Sequence, residues 1–188
     1  MITATVTLRG VSPYAQNRYH NTPKLEKEGF DDYEKRTWRE RCHADDAGML
    51  YIPAFALKNC LSEAAKYLSM QIPGKGKSTY TKHFEAGVLV TDHAPLNIRK
   101  ADVAGLTLFV PADGKRGSGK RVLKTFPTVP AGWETRAVFH ILDETITRDV
   151  FVYHLEQAGK FIGLGSFRPR NNSCFGRFEV VKVEGWPK

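Results

Sequence analysis

The sequence predicts an α+β fold of the ferredoxin-like (RRM-like) type, in which a βαββαβ core with an antiparallel sheet carries inserted basic loops and a hairpin. Three observations lead to this prediction: an alternating strand pattern opens the chain, two amphipathic helix patterns follow, and a last strand pattern closes it. With the insertions removed, the order is that of the split βαβ arrangement. Both helices should pack on one face of the sheet and leave the other face or its rim available.

The strand predictions rest on runs rich in β-branched and aromatic residues. At the N-terminus, Ile2, Ala4, Val6 and Leu8 alternate with polar residues, which is the two-residue period of a half-buried strand. The segments 105–110 and 122–129 flank a glycine-rich stretch and predict a hairpin with a basic tip. The full set of predicted strands after the first is 86–90, 105–110, 121–129, 135–142 and 176–186.

The helix predictions rest on apolar residues at helical spacing. In 51–70, Pro53 stands where a first helical turn tolerates proline, and an apolar stripe follows at Leu57, Leu61, Ala64 and Leu68. The segment 147–162 repeats this spacing with Phe151, Leu155, Ala158 and Ile162, begins at the N-cap candidate Thr147 and offers Gly159 as its end.

The chain length and the apolar content fit one domain that spans residues 1–188, with insertions at about 11–48, 71–85 and 111–121. In the first insertion, Asp31–Lys35 and Asp32–Arg36 at i,i+4 spacing predict a solvated surface helix. Three widely spaced cysteines suit a reducing compartment. The start of the chain lacks a signal-peptide pattern, and no apolar run approaches the roughly 18 residues of a membrane span. We therefore expect a cytoplasmic protein with no membrane association.

The net charge of +8 is concentrated in three glycine-rich segments. Residues 71–83 carry +3, residues 111–124 carry +4 and residues 160–177 carry +4, so the rest of the chain is net negative. Concentrated cationic loops favour a polyanionic partner, because contacts to phosphates release counterions. Each loop taken singly can also be an ordinary solvated turn. The sequence therefore predicts that the three segments converge in space on one nucleic-acid strand.

Familiar catalytic and cofactor motifs do not fit. The segment 114–121 approaches a phosphate-binding loop, but Arg121 replaces the hydroxyl residue and a strand pattern follows where a helix should begin. Cys42 and His43 are adjacent, which is poor spacing for metal ligands. We therefore expect no cofactor and no metal. His20, in a polar loop, is the one candidate general base, and it supports metal-independent RNA cleavage as an alternative.

The segment 161–178 combines glycines, arginines and phenylalanines and contains no acid. Gly163 and Gly165 would let the backbone approach a ligand closely. The segment's guanidinium groups suit phosphate oxygens, and its phenylalanine rings could stack on bases. The alternative is that the phenylalanines are core residues and the arginines are solvated.

A late helix, then hydrophobic-Gly-x-Gly, a basic spacer and Gly-Arg-Phe entering a last strand resembles the RAMP superfamily of CRISPR-associated proteins. Here these residues are FIGLGSFRPRNNSCFGRFEV (161–180), and YIPAFALKNCLSEAAKYL (51–68) is similar to that superfamily's first helix, with Ile52–Pro53 leading in. The resemblance is greatest to the backbone subunits, which implies a thumb-like hairpin, a grip on guide RNA by its phosphates and a role in antiviral defence. The chain is compact and shows one ferredoxin-like unit, whereas repeat-processing endoribonucleases of the superfamily usually carry two. The resemblance therefore implies a solitary relative, encoded by a phage or a mobile element.

The sequence thus predicts a non-catalytic protein that binds single-stranded RNA, or single-stranded DNA, and self-associates along it or joins a CRISPR-type complex. The alternatives are the endoribonuclease that uses His20 and a protein-interaction module without RNA. The predicted nucleic-acid-binding residues are Arg18, Lys58, Asn59, Lys75, Lys77, Lys115, Arg116, Lys120, Arg121, Gly163, Gly165, Phe167, Arg168, Arg170, Phe175, Gly176 and Arg177.

Overall fold

The computed structural model describes residues 1–115, 117 and 119–187. Within them, nine strands and four α-helices alternate with short turns. In chain order they are β1 Ile2–Gly10, β2 Tyr14–Ala15, α1 Phe30–Thr37, β3 Met49–Ile52, α2 Ala54–Leu68, α3 Thr81–Gly87, β4 Val88–Leu89, β5 Ala94–Arg99, β6 Ala104–Pro111, β7 Arg121–Val129, β8 Glu134–Ile141, α4 Arg148–Gln157 and β9 Phe178–Glu184.

The main sheet has the order β4–β8–β1–β9, and every neighbouring pair is antiparallel. Taking β1, α2, β4, β8, α4 and β9 as the core elements in chain order gives βαββαβ. The sheet order is then fourth, first, third and second strand, read from β9, which is the ferredoxin-like arrangement. The predicted fold class is confirmed.

Alternation along β1 decides which face of the sheet is covered. Ala4, Val6 and Leu8 are fully buried, whereas Thr3 and Arg9 on the opposite face are exposed. The helices α2 and α4 supply the buried residues Leu57, Leu61, Phe151 and Leu155 to the same hydrophobic core cluster. Both predicted apolar stripes therefore face one core, and Thr147 caps α4 by accepting a hydrogen bond from the Val150 N–H.

A second sheet, β2–β7–β6, carries the predicted hairpin. The β6–β7 ladder runs from Ala104↔Thr128 to Pro111↔Arg121, and beyond it Ala112 N donates to the Lys120 carbonyl (2.9 Å) at the start of the tip. Because β2 pairs with the far end of β7, at Tyr14↔Val129 and Ala15↔Thr128, the hairpin is joined at its base to the segment after β1.

The first insertion contains the predicted helix, α1, and five of its eight residues are exposed. The other side packs against the hairpin, because Glu34 and Thr37 are buried. The predicted ion pairs are replaced: Arg36 pairs with Glu28 (Nε–Oε1 2.6 Å) rather than with Asp32.

Three local predictions are also corrected. The segment 86–90 contains the last two residues of α3 and the two-residue β4 instead of a full strand, and β3 and β5 were not predicted. Gly159 does not end the second helix, which continues through a π-helical turn to Ile162 and ends at Gly163 (φ 72°). Gly159 is required for another reason: a Cβ there would overlap the Phe178 carbonyl oxygen of β9.

The longest described helix, α2, has 15 residues, and among the residues described none is both long and apolar enough to cross a bilayer.

Candidate nucleic-acid interface

The glycine-rich segment after α4 is joined to two strands by backbone hydrogen bonds. Ser166 N donates to the Ala15 carbonyl of β2 (2.9 Å), and Leu164 N donates to the Gly176 carbonyl (2.9 Å). Gly176 N in turn donates to the Pro13 carbonyl (2.6 Å). The loop is therefore held against the end of β1 and the start of β9.

The glycines of this loop are required by packing of the chain on itself. Gly163, Gly165 and Gly176 all have φ near +70°. A Cβ at Gly165 would overlap the Ala15 carbonyl oxygen, and a Cβ at Gly176 would overlap the Leu164 carbonyl oxygen. From the sequence, we expected these glycines to let the backbone approach a ligand closely. In the structure, they let one backbone segment approach another. Gly163 and Gly165 nevertheless line a cavity.

This first cavity, of about 390 Å³, lies between the glycine-rich loop, the segment after β2 and the N-terminal turns of α2. Two of its polar residues were predicted from the sequence, Asn59 on α2 and Arg168 after the loop. Arg168 is fixed by Glu63 of α2 (Nη1–Oε2 2.8 Å), so its guanidinium group is oriented before any ligand arrives.

Gln16 and His43 shape the opposite wall of the first cavity. The buried Gln16 donates from Nε2 to the Tyr51 carbonyl (2.9 Å) and accepts from the His43 N–H at Oε1 (2.8 Å). Burial, with help from Arg18 and His93, lowers the pKa of His43 to about 4. His43 is therefore neutral at pH 7 and contributes no charge to the cavity.

A second cavity, of about 400 Å³, adjoins the first and shares Asn59 and Arg168 with it. Lys58 lines it but directs its ammonium group inward. Its Nζ donates to Ser62 Oγ (2.9 Å) and to the Phe84 and Glu85 carbonyls (2.5 and 2.9 Å). With three acceptors for three N–H groups, Lys58 links α2 to the last turn of α3, and its predicted contact with RNA stays a prediction without support from the geometry.

A third cavity, of about 320 Å³, adjoins the first on the other side through the shared residue Asn17. Its remaining lining residues are three aromatic side chains and three cations, namely Tyr19, His20, Tyr33, Arg18, Arg41 and Lys124. Burial and the neighbouring Arg41 lower the pKa of His20.

We call these three adjoining cavities the basic groove. Two glutamates line it, and both are paired, Glu63 with Arg168 and Glu85 with Lys66. The lysines and arginines in its lining are three times as many: Arg18, Arg41, Lys58, Lys66, Lys124 and Arg168.

The structure brings together only part of the predicted site. The segments 160–177 and 111–124 meet at the basic groove through Arg168 and Lys124. Lys75 and Lys77 lie in the turn that follows α2 and line none of the three cavities of the groove. Lys120 and Arg121 line a separate cavity beside Phe30 and Phe109, and Lys115 lies in the same exposed hairpin tip.

The remaining predicted residues are Arg170, Arg177 and Arg116. Arg170 and Arg177 are exposed and line none of its three cavities. Arg116 falls outside the described residues.

The two phenylalanines of the glycine-rich segment contact other rings. Phe167 packs edge-to-face on Phe126 of β7 (centroids 4.8 Å apart) and lies 6.0 Å from Phe175. Both side chains are half-buried, which favours the alternative in which they pack the loop against the hairpin. Base stacking by these two rings stays a prediction without support from the geometry.

No protein-family model and no curated protein matches the chain. Among solved structures, the chain is similar to Cmr6 from Pyrococcus furiosus, at 14% identity and a TM-score of 0.48, over 96% of this chain and 98% of that one. It is also similar to a chain of a CRISPR RNA-guided surveillance complex, at 10% identity and a TM-score of 0.40, over 96% of this chain and 67% of that one.

Several residues of the basic groove were not predicted. Gln16, Asn17 and Tyr19 stand beside the predicted Arg18 and His20, but nothing in a polar loop marks which side chains turn inward. Lys124 belongs to the basic segment 111–124 but is not among the predicted binding residues, because it lies within a strand pattern. Its position in the middle of the hairpin ladder, opposite Leu108, rather than at the tip, is the signal that could have identified it.

Proposed function

We propose that this protein binds single-stranded nucleic acid, RNA in preference to DNA, without cleaving it, and that the basic groove is the binding surface. The observation that carries the proposal is the continuity of the groove. Three cavities share lining residues, and the only two carboxylates among those residues are neutralised by ion pairs. Such a surface attracts a chain of phosphates along its whole length.

Within the groove, the residues suited to phosphate oxygens are those whose donors are not used up inside the protein. Arg168 keeps guanidinium donors beyond the one that binds Glu63, and Asn59 stands next to it. Arg18 is exposed, and Lys124 makes none of the ion pairs found among the described residues, although Glu34 lies close enough to act on its charge. Together these four side chains mark a path across all three cavities.

The open face of the main sheet is the competing surface, and its charges argue against it. Arg9 pairs with Glu134 and Glu179, while Arg136 and Lys182 both pair with Glu184. These pairs, between strands and along β9, leave no concentrated positive charge for a phosphate backbone, so we place the nucleic acid in the groove.

The test is fluorescence anisotropy with a labelled single-stranded RNA of about 20 nucleotides over a series of salt concentrations. Each phosphate contact contributes about −0.7 to the slope of log K against log salt for single strands. Arg18→Ala combined with Lys124→Ala should weaken binding and reduce the magnitude of the slope by about 1.4.

The matched control is Lys75→Ala combined with Lys77→Ala, which removes the same charge from the turn after α2. This variant should keep a slope close to that of the wild type. Equal losses in both double variants would show that overall charge, and not the groove, holds the RNA.

Two other outcomes separate the alternative functions. Absence of oligonucleotide binding at low salt would favour a protein-interaction module with an acidic partner. Cleavage of RNA by the wild type and not by His20→Ala would show the metal-independent endoribonuclease. Binding of several copies to longer RNA would support the proposed self-association along the strand or assembly in a CRISPR-type complex.

A further inference from the structure

The third cavity of the basic groove has a lining unlike the other two. Three aromatic side chains, Tyr19, His20 and Tyr33, stand in it beside the cations Arg18 and Lys124. Contacts to phosphates require cations but no aromatic rings, so the three rings indicate a second kind of contact. We infer that this cavity binds one nucleobase, turned out of the bound strand and recognised by stacking and by donors on its edge; the inference rests on the proposed function.

The aromatic side chains are held as a surface for stacking. The His20 and Tyr33 rings are nearly parallel, at 21° with centroids 6.3 Å apart. Thr22 fixes both, because its carbonyl accepts from the Tyr33 hydroxyl (2.7 Å) and its Oγ1 lies 3.1 Å from His20 Nδ1. Tyr33 also has the cations of Arg36 and Lys24 5.6 and 5.9 Å from its ring centre. Tyr33 therefore supports the His20 ring from one side, and Tyr19 and His20 supply the ring faces for a ligand.

Tyr19 is the most exposed large side chain on this side of the groove, with 86% of its surface accessible. An aromatic ring that adds nothing to the core gains from covering a base, and stacking on such rings is the usual way in which proteins hold single-stranded bases. The cavity volume of about 320 Å³ lies at the lower end of the range for small-ligand sites, which suits a ligand of one base.

The charged groups of the cavity are donors. Arg41 is not one of them for a ligand, because it binds both carboxylate oxygens of Glu34 (2.7 and 2.8 Å) and the Thr125 carbonyl (3.2 Å). Lys124, whose Nζ lies 5.2 Å from the Phe126 ring centre, and Arg18 keep several N–H donors each, enough for a phosphate oxygen and for a base edge at the same time. Lysine and arginine donors fit the O6 and N7 acceptors of guanine, so guanine is the expected base.

The path of the strand is set by Asn17, which lines both the first and the third cavity. A phosphate beside Arg168 and Asn59 in the first cavity leaves the next nucleotide at Asn17, with its base facing the aromatic side chains. The lowered pKa of His20 keeps its ring neutral at pH 7, so that it acts as a stacking surface rather than as a further cation.

The experiment separates bases from phosphates. The probes are labelled 10-mers made of abasic nucleotides, each with one A, C, G or U in the middle, and a fully abasic 10-mer of the same charge. The wild type should bind the guanine probe about tenfold more tightly than the fully abasic probe. Tyr19→Ala combined with His20→Ala should abolish that difference and leave the salt slope unchanged, whereas Tyr67→Ala, an exposed tyrosine on α2, should retain it.

Lys124→Met provides the second variant. It should reduce the preference for guanine over the other bases and keep the gain that any base gives over the abasic probe. Equal affinity of the wild type for all five probes overturns the base site while leaving the groove intact. Absence of binding to every probe and to ordinary RNA at low salt overturns the groove and the base site together.

Discussion

At the scale of single residues, Lys58 shows how tertiary contacts can change the role of a cation. Its Nζ donates to two carbonyls in the last turn of α3, where helical carbonyl groups lack partners within the helix. Burial lowers the pKa of Lys58, although Glu85 opposes this effect. A lysine near a helix N-terminus suggests a phosphate contact from sequence alone, yet here its donors stabilise another helix.

The glycine-rich loop gives the residue-scale prediction. Gly176→Ala should lower the free energy of unfolding by more than about 3 kcal/mol, because a positive φ costs about 1–2 kcal/mol and the new Cβ also overlaps the Leu164 carbonyl. Gly48→Ala shares the positive φ but meets no atom within 4 Å, so it should cost only the first of these amounts. Urea unfolding of both variants measures the difference. Equal losses would mean that the loop relaxes away from the contact.

At the scale of elements, the first insertion is attached to the hairpin by a buried ion pair. Arg41, in a 3₁₀ turn after α1, binds Glu34 through two hydrogen bonds, and Glu34 Oε1 also accepts from the Thr125 N–H of β7 (2.6 Å). One carboxylate therefore joins two successive helical turns to a strand. Because Arg41 and Tyr33 also line the third cavity, this ion pair positions the proposed base site.

Breaking this ion pair gives the element-scale prediction. Glu34→Gln should destabilise the protein by about 3–5 kcal/mol, because it leaves the Arg41 charge buried without its partner. The double variant Glu34→Met, Arg41→Met should be more stable than Glu34→Gln, since it buries no unpaired charge. Chemical unfolding of the two variants measures both effects. A double variant less stable than the single one would show that the charges themselves hold the elements together.

At the scale of the whole molecule, the paired charges, the excess of positive charge and a buried histidine lie in three different regions. The sheet's open face carries mutually paired charges, the basic groove carries the excess of cations, and the core side contains one fully buried histidine, His154. His154 Nδ1 donates to the Val150 carbonyl (2.7 Å), its ring stacks on Phe84, and among the described residues its Nε2 has no hydrogen-bond partner. Protonation there would place a charge in the core.

The buried histidine gives a prediction for global stability. Burial lowers the pKa of His154, as it does those of His43 and His20, so the unfolded chain takes up protons more readily than the folded one. Stability should therefore decrease as the pH falls below the ordinary histidine pKa of about 6.5. Thermal unfolding between pH 7 and pH 5 should show a falling Tm, with a smaller fall for His154→Phe. His140→Gln, on the open sheet face, is the control and should retain the dependence of the wild type.

The sequence predicted the elements whose signals are local. The buried alternation of β1, the apolar stripe of α2 and the Thr147 cap of α4 each follow from a periodicity or a short-range hydrogen bond. It failed for β3 and β5, because these short strands are defined by pairing with each other across more than 40 residues of chain.

By itself, the sequence determined the ferredoxin-like order of elements and the location of the positive charge along the chain, because periodicity and composition are properties of neighbouring residues. Only the tertiary structure decided which cations share a groove. Arg168 and Lys124 lie on the same groove because the loop after α4 and the β6–β7 hairpin both join β2, whereas Lys75, in the turn after α2, lines none of its cavities. That selection depends on strand pairing between distant segments, and no local pattern contains it.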